Sequence, residues 1–130
     1  MSWNLSNSGP IYLQLIELIE LQILSGKYAC GEHFPTVREL AAEAAVNPNT
    51  MQKALAQLEH SGLLVTSRTN GRTVTTDEAM LARMREEKAL TLYRKFLQSM
   101  TDLGFTREEA QKFLIANQAE RGFYDSTTSE

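Results

Sequence analysis

Cationic and amide side chains recur in neighbouring parts of this sequence, and they suit contacts with a polyanion. Arg38 and Lys53 offer charges that attract phosphate groups, and the Gln52 amide can pair with N6 and N7 of adenine. Arg68 and Arg72 flank an Asn-Gly pair and would point their charges at a phosphate backbone. These side chains predict contacts with DNA. The full candidate set is Thr36, Arg38, Asn49, Thr50, Gln52, Lys53, Arg68, Gly71 and Arg72.

Two helix starts in close succession would position most of this set. Thr36 and Glu39 form a capping box, in which each side chain satisfies a free backbone N–H at a helix N-terminus. Asn47 is a good N-cap, and Pro48 suits the first helical position because its missing N–H costs nothing there. Two helices joined by a tight turn predict a helix-turn-helix, which places its second helix in the DNA major groove. The expected helices run from Leu40 to Ala45 and from Pro48 to about His60.

A β-hairpin is predicted directly after the second of these helices. Gly62 sits where a left-handed helix C-cap belongs. Leu63–Val65 and Thr73–Thr75 read as short strands, and Asn70-Gly71 between them is typical of a type I′ turn with positive φ at both positions. A hairpin after a helix-turn-helix predicts a winged helix.

Helices are expected on either side of this winged unit. The apolar stretch from Ile11 to Leu24, interrupted by polar residues, predicts a buried first helix. Asp77 can cap a long helix from Glu78 to about Leu103, and a second capping box starts a last helix that ends near Arg121. The predicted fold is mainly α with a small β-hairpin. It comprises a winged helix-turn-helix in residues 1–77, a two-helix dimerisation segment in residues 78–125 and a disordered tail in residues 126–130.

The predicted long helix carries an apolar seam whose members alternate at spacings of four and three residues, which suits a helix partner. The last helix is expected to bury Ala110, Phe113 and Leu114. Two helices alone make a poor core, so their apolar faces must dock on the winged helix or on a second copy. We expect docking on a second copy, and so a homodimer, because paired helix-turn-helix units commonly read two half-sites. The seam is Ala89, Tyr93, Phe96, Met100 and Leu103.

Composition restricts the class of protein. No apolar run approaches the ~20 residues that span a bilayer, and no basic region precedes the first apolar stretch, so neither a membrane span nor a signal peptide is expected. The single cysteine excludes an internal disulfide and fits a reducing cytoplasm. The net charge of −3 is unusual for a nucleic-acid binder. The candidate cations nevertheless lie on the predicted reading elements, and phosphate contacts act within about 8–10 Å.

Metal, cofactor and catalytic sites are not expected. Cys30, His33 and His60 offer three soft ligands from separate elements with no clear fourth. We expect a small buried Cys30 and two histidines at or near the surface. The sequence has neither a nucleophile motif nor a phosphate-cradling glycine loop, so an enzyme is disfavoured.

A series of motifs at characteristic spacing carries a family resemblance. They are Pro10-Ile11-Tyr12-Leu13-Gln14, Leu24-Ser25-Gly26-Lys27-Tyr28, Gly31-Glu32, Pro35-Thr36-Val37-Arg38-Glu39-Leu40, Asn49-Thr50, Lys53-Ala54-Leu55, Leu58-Glu59 and Gly62-Leu63-Leu64. In these motifs the chain resembles the GntR family of bacterial transcription regulators. Its Val46-Asn47-Pro48-Asn49-Thr50 is similar to the YtrA subfamily, whose effector domain is reduced to two helices.

The resemblance implies a homodimeric repressor that binds a double-stranded DNA operator and controls a neighbouring operon, often one that encodes a transporter. It leaves the effector and the regulated genes unidentified. Most of the family has Ser-Arg where this chain has Asn47-Pro48, so one expected DNA-contacting arginine is missing. The alternative interpretation is a winged-helix protein-interaction module without DNA binding, which the acidic net charge favours.

Overall fold

The computed structural model describes residues 3–118, which form five helices and one two-stranded antiparallel sheet. This arrangement confirms the predicted mainly α fold with a small hairpin. The helix from Ile11, the helix from Pro48 and the long helix from Glu78 begin where the sequence predicted. In chain order the elements are α1 (Ile11–Leu24), α2 (Val37–Ala44), α3 (Pro48–His60), β1 (Leu64–Ser67), β2 (Gly71–Val74), α4 (Glu78–Asp102) and α5 (Arg107–Ala116).

The chain divides into two compact units, the first ending at Arg85 and the second beginning at Glu86. The start of α4 belongs to the first unit, because Leu81 is buried in that unit's core and the Arg85 Nε donates to the Leu24 carbonyl at 2.9 Å. The Asp77 carboxylate caps α4 by accepting a bond from the Met80 N–H at 3.0 Å. The domain boundary predicted after Asp77 remains a prediction.

The core of the first unit is built by helices α1, α2 and α3. Ala54, Leu55 and Leu58 form the inward stripe of α3, as predicted, and Met51 extends it by one turn. Burying a side chain of this size stabilises the fold by about 1.5–3 kcal/mol. The stripe therefore fixes which face of α3 points away from the core. The core side chains include Leu15, Ile19, Ile23, Phe34, Leu40, Met51, Leu55, Leu58, Leu63, Leu64, Val74 and Leu81.

Local hydrogen bonds set the start of α2 and the turn that leads from α2 into α3. The Thr36 hydroxyl accepts from the Glu39 N–H at 3.2 Å, and the Glu39 carboxylate accepts from the Thr36 N–H at 3.0 Å. This capping box makes Val37 the first residue of α2, so the predicted start at Leu40 was too late. Ala45 closes α2 in the left-handed conformation, at φ 58° and ψ 46°. Asn47 then caps α3 by accepting from the Asn49 N–H at 2.7 Å.

The hairpin has a longer turn than the sequence predicted. Ser67 pairs with Gly71, which leaves three residues in the loop, and the Ser67 hydroxyl accepts from the Thr69 and Asn70 N–H groups at 3.3 Å. Gly71 has φ 65°, whereas Asn70 does not have positive φ. The predicted two-residue type I′ turn is therefore wrong, because positive φ occurs only at Gly71, the strand residue that follows the three-residue loop.

The segment before α2 adds a third extended partner to this hairpin. The Gly31 N–H donates to the Val74 carbonyl, and the Phe34 N–H to the Arg72 carbonyl, both at 2.9 Å. His33 forms an isolated bridge with Thr73 between them. The outer edge of β2 is thus covered, and the wing is joined to the residues that lead into α2.

In the second unit, α5 starts at a capping box as predicted. The Thr106 hydroxyl accepts from the Glu109 N–H at 3.1 Å, and the Glu109 carboxylate accepts from the Thr106 N–H at 2.8 Å. Ala110 is buried, but Phe113 and Leu114 are about half exposed, so their predicted burial is wrong for a single chain. One neighbouring helix covers only a narrow stripe of α5.

The end of α5 also differs from the prediction. The helix ends at Ala116, with Asn117 as its C-cap, and not near Arg121. Residues 119–125 of the predicted dimerisation segment and the predicted disordered tail 126–130 lie outside the described residues. Among residues 3–118, no helix combines the length and apolar character needed to cross a membrane.

Candidate nucleic-acid interface

A groove of about 490 Å³ separates the N-terminus of α2 from the wing. The N-terminus of α2 presents the positive end of the helix dipole to this groove, which favours an anion, and the capping box places the Glu39 carboxylate at the same turn. Four members of the predicted contact set line this groove, namely Thr36, Arg38, Gly71 and Arg72. The other lining residues are His33, Phe34, Pro35, Val37 and Thr66.

The side chains of this groove differ in whether they already have a hydrogen-bond or ion-pair partner. Arg38 is exposed, and its guanidinium has no carboxylate partner among residues 3–118. The Thr36 hydroxyl is already engaged, since it accepts from the Glu39 N–H and donates to the Glu39 carboxylate at 2.9 Å. Hydrogen bonds from Thr36 hold the pKa of the Glu39 carboxyl below its ordinary value, so this carboxylate stays ionised near neutral pH. Arg38 is therefore the most available cation of the groove.

Lys53 lies over an aromatic ring that the sequence did not connect with it. Its Nζ is 3.8 Å from the centre of the Tyr12 ring, a distance at which the ring face attracts a cation. Tyr12 belongs to α1 and Lys53 to α3, so their approach results from helix packing, and no local pattern signals it. The ring holds the charge of Lys53 at the exposed surface of α3.

Arg72 is paired with side chains of α3. Its Nε donates to the Glu59 carboxylate at 2.7 Å, and its Nη2 donates to the Gln52 Oε1 at 3.4 Å. The Thr66 hydroxyl of β1 also donates to the Glu59 carboxylate. The bonds from Thr66 and then from Arg72 keep the pKa of the Glu59 carboxyl below its ordinary value, although partial burial opposes this. Sequence reasoning placed Gln52 and Arg72 in the contact set and missed Glu59.

The remaining candidates lie on α3 and in the wing loop. Asn49 is exposed in the first turn of α3, Thr50 is half-buried beside it, and Arg68 is exposed in the hairpin loop. None of the three lines the groove. The structure thus brings Thr36, Arg38, Gly71 and Arg72 together and links Gln52 to them through Arg72.

The soft ligands do not form a metal site in the part of the chain that the structure describes. Within residues 3–118, no group of three or more His, Cys, Asp and Glu side chains is arranged to hold a metal ion. His33 and His60 are exposed, as predicted. Cys30 is exposed as well, so its predicted burial is wrong: it lies in the connection that follows α1, outside the hydrophobic core.

Apolar side chains are exposed on both helices of the second unit. Of the predicted seam, Met100 is buried within one chain, Phe96 is half-buried, and Leu103 is 74% exposed. Tyr93 is partly exposed and its hydroxyl accepts a bond from the Gln111 amide at 2.8 Å, while Ala89 is exposed. Further exposed apolar side chains, which the predicted seam did not include, are Leu90, Leu92, Phe113, Leu114 and Ile115.

An open groove of about 440 Å³ lies on α4 and α5 within this unit. Leu90 and Leu97 give it an apolar wall, and Arg94 and Arg107 bring two cations to it. The sequence did not single out this groove, because its lining residues come from two helices. The others are Tyr93, Gln98 and Thr101.

An exposed second helix, a wing beside it and an anion-attracting groove define a DNA-binding regulator of the winged helix-turn-helix class. The model of the family described as bacterial regulatory proteins, gntR family, matches residues 11–74. This match, together with the similarity to two Bacillus subtilis regulators, shows that the chain belongs to the GntR family of transcription regulators.

Two proteins of Bacillus subtilis are similar over most of their length. The chain is 30% identical to the HTH-type transcriptional regulator YhcF over 79% of this chain and 85% of that protein. It is 33% identical to the HTH-type transcriptional repressor YtrA over 82% of this chain and 80% of that protein. A match of 106 residues is longer than the winged helix, so the similarity to YtrA extends beyond it.

Solved structures support the same assignment. A GntR family transcriptional regulator from Listeria monocytogenes is 32% identical, covers 86% of this chain and 98% of its own, and superposes with a TM-score of 0.79. The DNA-binding domain of AraR in complex with an operator is 32% identical and superposes with a TM-score of 0.50, covering 58% of this chain and 92% of its own. The second structure shows a related winged helix bound to DNA.

Proposed function

We propose that this GntR-family regulator acts as a homodimeric repressor that binds a double-stranded DNA operator in a sequence-specific manner. The observation that carries the proposal is the groove between α2 and the wing, where Arg38 and the N-terminus of α2 face Arg72. A phosphate group suits this combination of cations and free N–H groups. The AraR domain, which binds an operator through a similar fold, supports this assignment.

In this proposal the contacts are divided between positioning and reading. Arg38, Lys53, Arg68 and Arg72 contact phosphates, and Thr36 and Gly71 allow the backbone of the groove to approach them. Gln52 reads base edges from the exposed face of α3, beside Asn49 and Thr50. Asn47-Pro48 replaces a Ser-Arg pair found in most of the family, so one DNA-contacting arginine is missing. Arg38 therefore contributes a larger part of the DNA affinity.

The second unit supports a homodimer. Leu92, Leu103 and Ile115 are each about two-thirds or more exposed in a single chain, which is unusual for a group of large apolar side chains. A second copy is the simplest cover, because two winged helices would then read half-sites about 34–36 Å apart. Among the predicted seam residues, Ala89, Tyr93, Phe96 and Leu103 are accessible for this interface, and Met100 supports it from inside the unit.

A repressor of a neighbouring operon is the regulatory role that we favour, because the relative YtrA is named a transcriptional repressor. Any effector would bind in the open groove of the second unit or between subunits. It would change the relative placement of the two winged helices of the dimer. The groove joins an apolar wall to Arg94 and Arg107, so a small anionic molecule would suit it.

The alternative is a winged-helix module that binds proteins and not DNA. Two observations favour it: the net charge of −3, and the pairing of Arg72 with Glu59, which reduces the free positive charge of the wing. Salt dependence separates the two functions, since phosphate contacts release counterions and protein contacts with few ion pairs do not.

The test is a gel shift with fragments of the source genome at several salt concentrations. The proposed function predicts that a few fragments are retained, that the strongest lies near the coding sequence of this protein, and that binding weakens steeply with salt. A folded protein that retains no fragment even at low salt contradicts DNA binding and favours the protein-interaction module.

A further inference from the structure

The wing, formed by β1 and β2, is held to α3 by the carboxylate of Glu59, which is not in the predicted contact set. Arg72 Nε donates to Glu59 Oε1 at 2.7 Å, and Arg72 Nη2 donates to Gln52 Oε1 at 3.4 Å. Thr66, on the other wing strand, donates to the second oxygen of the same carboxylate. One glutamate of α3 therefore contacts both strands of the wing.

This carboxylate also compensates the charge of the wing arginine. The side chains of Arg72 and Glu59 remain 19% and 28% exposed, so an approaching phosphate meets an ion pair and not an isolated cation. The attraction of a phosphate to Arg72 is offset by its repulsion from Glu59, because both lie well within one Debye length. Arg38 forms no such ion pair among residues 3–118.

We propose that Glu59 is a specificity-determining residue, which neutralises the wing cation and holds Arg72 against Gln52 so that binding to duplexes of arbitrary sequence is weakened. The inference rests on the proposed DNA-binding function and assigns it a source of discrimination. A phosphate that draws Arg72 away from α3 breaks its bonds to Glu59 and Gln52. Only a site whose bases pair with the released Gln52 amide compensates for that loss.

Glu59→Gln tests the proposal on a duplex of random sequence, titrated at several salt concentrations. The variant keeps the shape of the side chain and an acceptor oxygen for Thr66, but it removes the charge. We expect tighter binding to this duplex and a salt slope that is steeper by about 0.9 per subunit. Glu17→Gln, at an exposed position of α1, removes the same charge elsewhere and should leave the slope unchanged.

The same salt titrations, with and without Glu59→Gln, in an Arg72→Ala background show whether the effect of Glu59 depends on Arg72. If Glu59 acts by neutralising Arg72, Glu59→Gln no longer changes the slope once Arg72 is absent. An equal effect in both backgrounds, or in Glu17→Gln, overturns the proposal. Duplexes selected from a random pool by the wild type should also lose their advantage over random duplex in Glu59→Gln.

Arg72→Lys gives an independent test if Glu59→Gln does not fold, as judged by circular dichroism. A lysine keeps the charge but lacks the fork that reaches Glu59 and Gln52 together, so it releases Gln52, and the advantage of selected duplexes over random duplex should shrink. An unchanged advantage in this folded variant overturns the proposal. If the wild type binds no duplex at low salt, the proposed function itself is refuted. If the wild type binds and Glu59→Gln has the same affinity and salt slope, only the role of Glu59 is refuted.

Discussion

Replacing Arg38 by alanine should flatten the salt dependence of DNA binding more than any other single substitution in the groove. Arg38 is exposed at the groove and forms no ion pair among residues 3–118, so its guanidinium is freer to reach a phosphate than that of Arg72. Each phosphate contact contributes about −0.9 to the slope of log affinity against log salt. The proposed homodimer would carry the substitution twice, so the slope should become shallower by about 1.8.

This change in slope corresponds to a measurable difference. Between 50 and 200 mM salt, the affinity of the wild type should fall about 12-fold more than that of Arg38→Ala. The assay is fluorescence anisotropy with a labelled fragment retained in the gel shift. Arg83→Ala, at an exposed position of α4, is the control for charge, and Arg72→Ala should change the slope less because Glu59 already compensates Arg72. A folded Arg38→Ala protein with the wild-type slope would refute the assignment of Arg38 to phosphate.

The other predictions concern stability and assembly. Thr36→Ala removes the cap of α2 and should lower the free energy of unfolding by about 1 kcal/mol, which urea denaturation measures. Leu103→Glu should convert a dimer to a monomer in sedimentation, because the exposed Leu103 would be buried only in the dimer, whereas Leu21→Glu on α1 should leave the dimer intact. The pKa of Glu59 is lowered in the folded chain, so the folded state binds fewer protons than the unfolded state. Its contribution to stability is present above the ordinary glutamate pKa of 4.5 and is lost as pH falls through the lower folded value, and Glu59→Gln should flatten this acid limb in denaturation experiments.

Features of the fold that depend on neighbouring residues could be predicted from the sequence. The caps at Thr36, Asn47 and Thr106 are formed within three residues of each helix start, so their chemistry is visible in the order of the residues. Gly62 likewise takes the left-handed position after α3 with φ 91°. The turn of the wing was predicted less well, because the Asn70-Gly71 pair fits both a two-residue and a three-residue loop.

The candidate site was predicted in part, for the same reason. Arg38 could be recognised from its place beside a helix start, but the partners of Arg72 and Lys53 come from other elements. Glu59 reaches Arg72, and Tyr12 reaches Lys53, only after α1, α3 and the wing have packed together. Each of these contacts changes how much of a cation is free, and the residue types alone do not contain that information.

The pairing of residues 31–34 with β2 bears on the order in which the protein folds. The two-stranded wing would be marginally stable alone, and its third partner lies on the far side of α2 and α3 in the sequence. Joining Phe34 to Arg72 closes a long loop, and the entropy lost in that closure is recovered only when both helices already fill it. The wing should therefore form late, and substitutions in β2 should accelerate unfolding more than they slow folding, which stopped-flow measurements would resolve.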